Sequence, residues 1–469
     1  MDLPELKQIL NKDYVGARKR WRNRNAYYYK DILRLLQFTI PAGGSILECG
    51  LDESWLLSTL KPQRGVFLSM SPAGMDNAER SPEHRFFEDT ELNSLPFSET
   101  FDYIVLPNTV GSVPHLLPYL KRLLSASHAR SRLVITYYNH LWEPWIRLAQ
   151  HLGLKQKQPI QNWLSLHDLQ NFLELAGFEV LKQGHRLLLP INIPILSWFL
   201  NRILARLPIL NRLGFWNYVI ARPHPHHFKS RDYTVSVVVP ARNERGNIAD
   251  IVKRTPQMGR GTEIIFVEGG SSDGTWEEIK RVAEEWKDKR KIIITKQTGR
   301  GKGDAVRRGF EHSSGEILMI LDADLTVPPE DLPAFYEAVA SRHADYVHGS
   351  RLVYPLEEGS MKFLNMIANK FFGMSFSWLL KQRIKDTLCG TKVITRRDYD
   401  RLQANRNYFG EFDPFGDFDL IFGASKLALK MAEIPVRYRQ RTYGSTNISR
   451  FRHGWILLKM LLFAARKLE

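Results

Sequence analysis

The stretch from Gly315 to Asp324, Gly-Glu-Ile-Leu-Met-Ile-Leu-Asp-Ala-Asp, constrains the fold more than any other segment. Its apolar run, Ile317 to Leu321, has strand length and no polar alternation. That is the pattern of a strand buried on both faces and central in a parallel sheet. In open α/β sheets, ligands bind just past the carboxyl ends of such strands. Here the run ends in two carboxylates, and period-two alternation puts Asp322 and Asp324 on one side with Ala323 facing away. Two acidic oxygen donors at that edge suit a hard divalent cation that keeps some waters and takes its other ligands from substrate phosphates. For an isolated Asp-x-Asp, a strand end capped by solvated aspartates is the simpler explanation, so the flanking sequence decides.

A chain of 469 residues has room for two or three domains. Its net charge of +16 points to an anionic partner: nucleic acid, a phosphorylated substrate or an acidic membrane. Cys49 and Cys389 are the only cysteines, which excludes a disulfide framework and fits a reducing compartment. The N-terminus lacks a secretory layout, and no stretch reaches the roughly 18–20 apolar residues of a spanning helix. The expectation is a cytoplasmic protein, peripherally associated with the inner face of the membrane.

Prolines and polar residues at 221–231 read as a linker. Its three histidines lack the carboxylate or cysteine that would complete a metal site. Before it, strands are expected at Ser45–Gly50, Gly65–Ser69, Phe101–Leu106 and Arg132–Tyr137, with helical periodicity between them, as over 113–126. After it, strands are expected at Thr234–Val239, Glu263–Val267, Lys291–Thr295 and Glu316–Leu321. The fold class is α/β, with two doubly wound domains. The expected division is 1–220, 221–231 (linker), 232–358 and 359–469.

Four features join the Asp-Ala-Asp pair at strand ends. Pro240-Ala-Arg-Asn-Glu244 turns after the first strand, so that Glu244 and backbone groups can cover a base or ribose. Glu268-Gly-Gly-Ser-Ser-Asp273 follows the second; its glycines permit close approach and its acids can hydrogen-bond ribose. Gly299-Arg-Gly-Lys302-Gly303 sets cations and amides at a helix start, an anion site. Arg351 ends the strand Asp345–His348, where a guanidinium can grip a diphosphate bidentately.

With these motifs in order, the region from Tyr233 to about Glu469 resembles the family-2 glycosyltransferases of GT-A fold. Asp386-Thr-Leu-Cys-Gly-Thr-Lys392, Phe418-Asp419 and Arg441-Thr-Tyr-Gly-Ser-Thr-Asn447 are similar to motifs of the branch acting on polyprenyl or dolichyl phosphate. The resemblance implies a nucleotide-sugar donor held by Pro240, Ala241, Arg242, Glu244, Val267, Glu268, Asp273, Lys302, Asp322 and Ala323. It implies an acceptor phosphate met by Lys385, Cys389, Arg441, Asn447 and Arg450. Mg2+ or Mn2+ on Asp322 and Asp324 would neutralise the leaving diphosphate, with inversion at the anomeric carbon. Asp324 and Arg351 are then catalytic; if the acceptor is a hydroxyl, Asp417 or Asp419 takes its proton. The sequence departs from the family pattern at Glu268 and Gly269, which replace two aspartates, at Thr326 for a common Gln, and at Asn447 for Lys.

Residues 361–380 mix apolar side chains with Lys362 and Lys370, and 436–469 carry eight Lys/Arg against one Glu. Both suit interfacial helices on an anionic leaflet, at about 1 kcal/mol per basic residue; a pair of core-packing helices is the alternative. Nucleic acid is not an expected partner, because the basic residues accompany aliphatic rather than stacking aromatic runs. The sequence carries no signal for an oligomeric state.

In the first half, Ile46-Leu-Glu-Cys-Gly50 through Leu56 resembles motif I of class I S-adenosylmethionine methyltransferases, over about 27–181. Asp52 and Ser54 stand where two glycines belong, and the second strand ends in Ser69 rather than an acid; Asp89 matches a later acidic motif. The expectation is that fold without S-adenosylmethionine, since side chains obstruct the cofactor's approach. The apolar segment 187–220 either packs against the transferase or adds to the membrane face. The leading expectation is a peripheral, metal-dependent glycosyltransferase with a polyprenyl-phosphate acceptor. The alternatives are transfer to a sugar hydroxyl, in polysaccharide or glycolipid assembly, and a scaffold of two inactive domains.

Overall fold

A computed structural model describes residues 12–51, 54–71, 84–89, 95–153, 155–156, 161–227, 231–351, 363–382, 384–405, 418–441, 443 and 450–467. The chain divides into two compact units, Met1–Phe228 and Lys229–Glu469.

The first unit holds seven strands: β1 (Ser45–Gly50), β2 (Arg64–Ser69), β3 (His84–Glu88), β4 (Phe101–Pro107), β5 (Ser127–Tyr138), β6 (Phe178–Arg186) and β7 (Trp216–Pro223). Their order is β3-β2-β1-β4-β5-β7-β6, parallel from β3 to β5, with β7 antiparallel to both neighbours. Strand order reverses between β1 and β4, which marks the edge where a doubly wound sheet binds ligands. The apolar runs are buried as expected: Leu47, Val66, Leu68, Ile104, Leu133 and Val219 share one core. One boundary differs from expectation. β7 continues through Ala221, Arg222 and Pro223, residues read as linker from composition. Arg222 is held there by Glu179 at 3.0 Å, so a polar residue serves a strand rather than a loop.

The second unit holds β8 (Thr234–Ala241), β9 (Gly261–Glu268), β10 (Lys291–Lys296), β11 (Ile317–Ile320), β12 (Tyr346–Ser350), β13 (Lys392–Thr395) and β14 (Met431–Pro435), in the order β10-β9-β8-β11-β13-β12-β14. β11 is central, as its unbroken apolar run requires. The sheet is mixed rather than parallel: β13 runs antiparallel between β11 and β12. Alternate residues feed two cores, one on each face. Val237, Ile264, Ile317, Met319 and Leu321 enter one; Val238, Ile265, Leu318 and Ile320 enter the other. Ala323 continues the first set. The period-two alternation thus persists past the strand end and leaves Asp322 and Asp324 on the opposite side, half-buried.

The helix Phe363–Leu380 buries Phe372, Phe376 and Leu380 and exposes Phe371, Met374 and Trp378. The helix Arg450–Lys467 buries Met460 and Ala464 and exposes Trp455 and Leu462. Each therefore packs one face into the core and leaves apolar side chains outside. Among the described residues, no helix is long and apolar enough to cross a membrane.

In the first unit, Arg122 Nη1 donates to Asp89 Oδ1 at 2.6 Å, with both side chains buried. Removing one partner of such a pair strands a charge. Arg122→Met should cost about 3–5 kcal/mol of that unit's stability, read as an earlier denaturant transition in the full chain with the second transition unmoved.

Candidate active site

The carboxyl edge of the second sheet is assembled from loops that bond to one another. Asn243, in a left-handed conformation (φ 57°), donates its N–H to Ser271 Oγ (3.0 Å) and accepts at Oδ1 from the N–H of Ser272 (2.9 Å). The N–H of Glu244 donates to Thr275 Oγ1 (2.9 Å), and that of Arg245 to Asp273 Oδ2 (3.3 Å). Asp273 also accepts from the N–H and hydroxyl of Thr275 and from the Tyr443 hydroxyl. Its carboxylate lies below the ordinary value: burial pushes it up, but these donors outweigh that. Glu268 accepts from the N–H of Ser271 at 2.5 Å. Both acids expected to meet the nucleotide thus bond to and shape the loops around it. Pro240 and Ala241 end β8, and Arg242 is exposed beyond them. The Val267 side chain is wholly in the core, so it reaches a ligand only through its backbone.

At the centre, the acidic pair faces two cations. Lys302 Nζ, at the N-terminus of the helix Lys302–His312, lies 2.5 Å from Asp322 Oδ1. Burial alone would raise the Asp322 carboxyl, but Lys302, then Lys392 and Arg351, bring it below its usual value. Asp324 Oδ1 accepts from the Thr326 hydroxyl (2.8 Å) and N–H (3.1 Å), and Oδ2 accepts from Arg441 Nη2 (2.7 Å). The other Arg441 nitrogen, Nη1, donates to Glu244 Oε1 at 3.1 Å. Arg441, expected at the acceptor phosphate, thus bridges Asp324 and Glu244. Glu244 is pushed up to about 7 by burial, against the pull of Arg441 and with the push of Asp324. Among the described residues, no three His, Cys, Asp or Glu side chains form a group that could hold a metal ion.

The segment before β13 closes over this pair. A Cβ on Gly390 would lie 1.8 Å from Asp322 Oδ2 and 2.5 Å from Lys302 Nζ, so any larger residue would force one of these side chains to move. Lys392, buried, donates to the Cys389 carbonyl at 2.5 Å. Gly390, Lys392 and Asp386 are contributors absent from the expected residues, although the quoted Asp-Thr-Leu-Cys-Gly-Thr-Lys motif contains all three. Arg351, expected on a diphosphate, is engaged bidentately by Asp386, Nε at 2.7 Å and Nη2 at 2.8 Å. Cys389 is a core residue: its sulfur packs against Gly349, and burial pushes its thiol up to about 11, so it meets no phosphate. Lys385 is exposed, and its backbone N–H donates to Glu433. Asp419 lies in the first turn of Phe418–Lys426, 3.8 Å from Arg307. Asp417 and Asn447 lie outside the described residues, and Arg450 begins the last helix.

The first unit has its own strand-edge site. Glu48, at the end of β1, is wholly buried and accepts from Ser54 Oγ (2.7 Å) and the Trp55 N–H (3.3 Å). Ser54 therefore fills space where a glycine was expected to admit a ligand. Arg22, Tyr29, Glu48, Trp55 and Asn108 line a pocket at this edge. Asp89, the later acid, is consumed by Arg122. Asp52 lies outside the described residues.

Residues 236–402, which span β8 to β13 and the acidic centre, match the model of glycosyl transferase family 2. The second unit carries a family 2 glycosyltransferase domain. Residues 20–183 match a methyltransferase domain, in agreement with the strand order of the first unit. The glycosyltransferase domain is similar to dolichol-phosphate mannosyltransferase of Pyrococcus furiosus, 36% identical over 121 residues, 25% of this chain and 33% of that protein. It is also similar to undecaprenyl-phosphate 4-deoxy-4-formamido-L-arabinose transferase of Pseudomonas fluorescens, 27% identical over 49% of this chain and 63% of that protein. The chain thus spans between a third and under two thirds of these curated relatives. Among solved structures, glucosyl-3-phosphoglycerate synthase of Mycobacterium tuberculosis aligns at 18% identity over 50% of this chain and 80% of that one, with a TM-score of 0.37.

Burial raises the Glu48 carboxyl from 4.5 to about 7. Because the folded value lies above the unfolded one, its contribution to stability is complete below about pH 4.5 and is lost as pH rises through 7, on the order of 3 kcal/mol. Glu48→Gln should flatten this pH dependence relative to wild type, measured as the first unit's denaturant midpoint across that range.

Proposed function

We propose that this protein transfers a sugar from a nucleotide-activated donor to the phosphate of a polyprenyl-type lipid, working peripherally at the cytoplasmic face of a membrane. The observation that carries this reading is the charge-matched centre: Asp322 against Lys302, and Asp324 and Glu244 bridged by Arg441, with every one of these residues except Arg441 inside the stretch that matches the family 2 model. Support for the acceptor comes from relatives named for dolichol-phosphate and undecaprenyl-phosphate.

The carboxylates of Asp322 and Asp324 fit a hard cation that takes its other ligands from phosphate and water. Mg2+ or Mn2+ bound there would supply Lewis-acid neutralisation of the leaving diphosphate. Lys302, at a helix N-terminus, offers its ammonium and the adjoining amides to phosphate oxygens. The acceptor phosphate oxygen forms the new bond to the anomeric carbon. The bond from that carbon to the diphosphate oxygen breaks, and the nucleoside diphosphate leaves with the electron pair. An ionised phosphate monoester has no proton to surrender, so the step requires no base. The buried cation Lys392 and the tie between Arg351 and Asp386 hold the Asp-Thr-Leu-Cys-Gly turn against the acidic pair, where the two substrates meet.

The first unit, on this reading, keeps a methyltransferase-like fold without S-adenosylmethionine. Ser54 bonded to Glu48 and Arg122 bonded to Asp89 support this reading, because both acids already have partners within the unit. Calorimetric titration should detect no tight binding of S-adenosylmethionine to the full chain.

The decisive assay is transfer of radiolabelled sugar from a set of nucleotide sugars into organic-extractable polyprenyl phosphate. EDTA should abolish transfer, and Mg2+ or Mn2+ should restore it. Asp324→Ala should lower turnover by roughly 10²–10³-fold with the fold retained; unchanged turnover would sink the assignment of Asp324. Gly390→Ala, which forces Asp322 or Lys302 to move, should reduce turnover at least about tenfold with little change in melting temperature.

A further inference from the structure

The segment between β6 and β7 inverts the usual division of a surface. Its polar side chains turn inward: Asn201 accepts from the Leu189 N–H (2.9 Å) and donates to the Leu189 carbonyl (2.8 Å). Ser197 accepts from the Ile193 N–H (2.8 Å) and donates to the Ile191 carbonyl (2.7 Å), and Asn211 donates to the Ala205 carbonyl (2.7 Å). The apolar side chains turn out. Ile195 and Ile209 are 82% and 81% exposed, Trp198 is 59% exposed, and Phe199 and Leu213 also face outward. Ile195 stands at φ 66°, a backbone state that a β-branched residue avoids. The surface extends onto the neighbouring helix Glu143–His151, where Trp145 is 66% exposed; the Trp142 indole ties that helix in by donating to the Leu213 carbonyl (2.8 Å).

Exposed apolar surface of this extent marks an interaction site. Its chemistry selects the partner. Residues 187–215 contain three arginines, Arg202, Arg206 and Arg212, and no acid. Aromatic and aliphatic side chains presented by short helices, with cations alongside, are what an anionic lipid surface recognises. A protein interface of this composition would more often bring mixed charge at its rim. We propose that the β6–β7 segment of the methyltransferase-like unit is a preformed membrane-docking surface that inserts Ile195, Trp198 and Ile209 into an anionic bilayer. The backbone partners supplied by Ser197, Asn201 and Asn211 let the segment enter the interface without stranding polar groups. The methyltransferase-like unit would thus serve by holding the chain at the lipid. The inference stands apart from the transferase reading, since lipid binding is measured without donor or acceptor.

The test uses the full chain and flotation with phosphatidylcholine vesicles with and without phosphatidylglycerol. Wild type should float with the anionic vesicles, and Ile195→Ser/Trp198→Ser/Ile209→Ser should partition at least roughly tenfold more weakly with an unchanged melting temperature. Both native cysteines are buried, so Ile195→Cys can carry an environment-sensitive fluorophore, whose emission should shift to the blue on anionic vesicles. Wild-type partitioning by the triple variant, as when the helix Arg450–Lys467 alone carries binding, would overturn the proposal. So would an unshifted label, or a self-association that the triple variant abolishes while lipid binding persists.

Discussion

Two carboxylates at the end of a wholly apolar strand set the terms for the rest of the second unit. β11 is buried on both faces, so Asp322 and Asp324 emerge from an environment that disfavours their charge. Partners must be brought to them, and each comes from a different part of the chain. Lys302 arrives on a helix after β10, Arg441 on the stretch after β14, and Lys392 on β13. The strand order is thereby tied to electrostatics: with β13 next to β11, the Gly390 turn lies directly on Asp322.

The sequence was most legible where one force dominated. Continuous apolar runs marked the central strands, mostly to within a residue or two, because burial on both faces leaves no room for polar alternation; β5 begins five residues before its expected start, and β3, β6, β7 and β14, which lack such runs or lie toward the edges, were not expected. The acidic pair and Lys302 were found together because each ends or begins an element. Arg351 and Arg441 show where legibility stops. Both cations were placed on phosphates from motif position, yet Arg351 faces Asp386 and Arg441 faces Asp324 and Glu244. Charge type is visible in a sequence, whereas the nearest opposite charge depends on tertiary approach across 35 residues for one and 117 for the other. β13 escaped notice for a related reason: four residues behind a Gly and a Thr carry too little periodicity to distinguish a strand from a turn.

The first unit separates fold from chemistry. Its core rests on Leu47, Val66, Ile104 and Leu133 rather than on the loop after β1, so the strand order tolerates Asp52 and Ser54 in that loop. Ser54 satisfies Glu48, and Arg122 satisfies Asp89, so both acids have partners within the unit.

The register of β13 has one more consequence. Lys392 pairs with Ile320 and Val393 with Met319, so the distance from the Gly390 turn to the acidic pair is fixed by main-chain bonds and not by side-chain contacts. Substitutions in the helices Phe363–Leu380 and Arg450–Lys467 can therefore change what is held on the far side without shifting the acids. A gain or loss of one residue between Gly390 and Val393 would turn every side chain of β13 to the opposite face. Divergence within this architecture has a built-in direction: those two helices are free to drift, and the three residues from Gly390 to Lys392 are not.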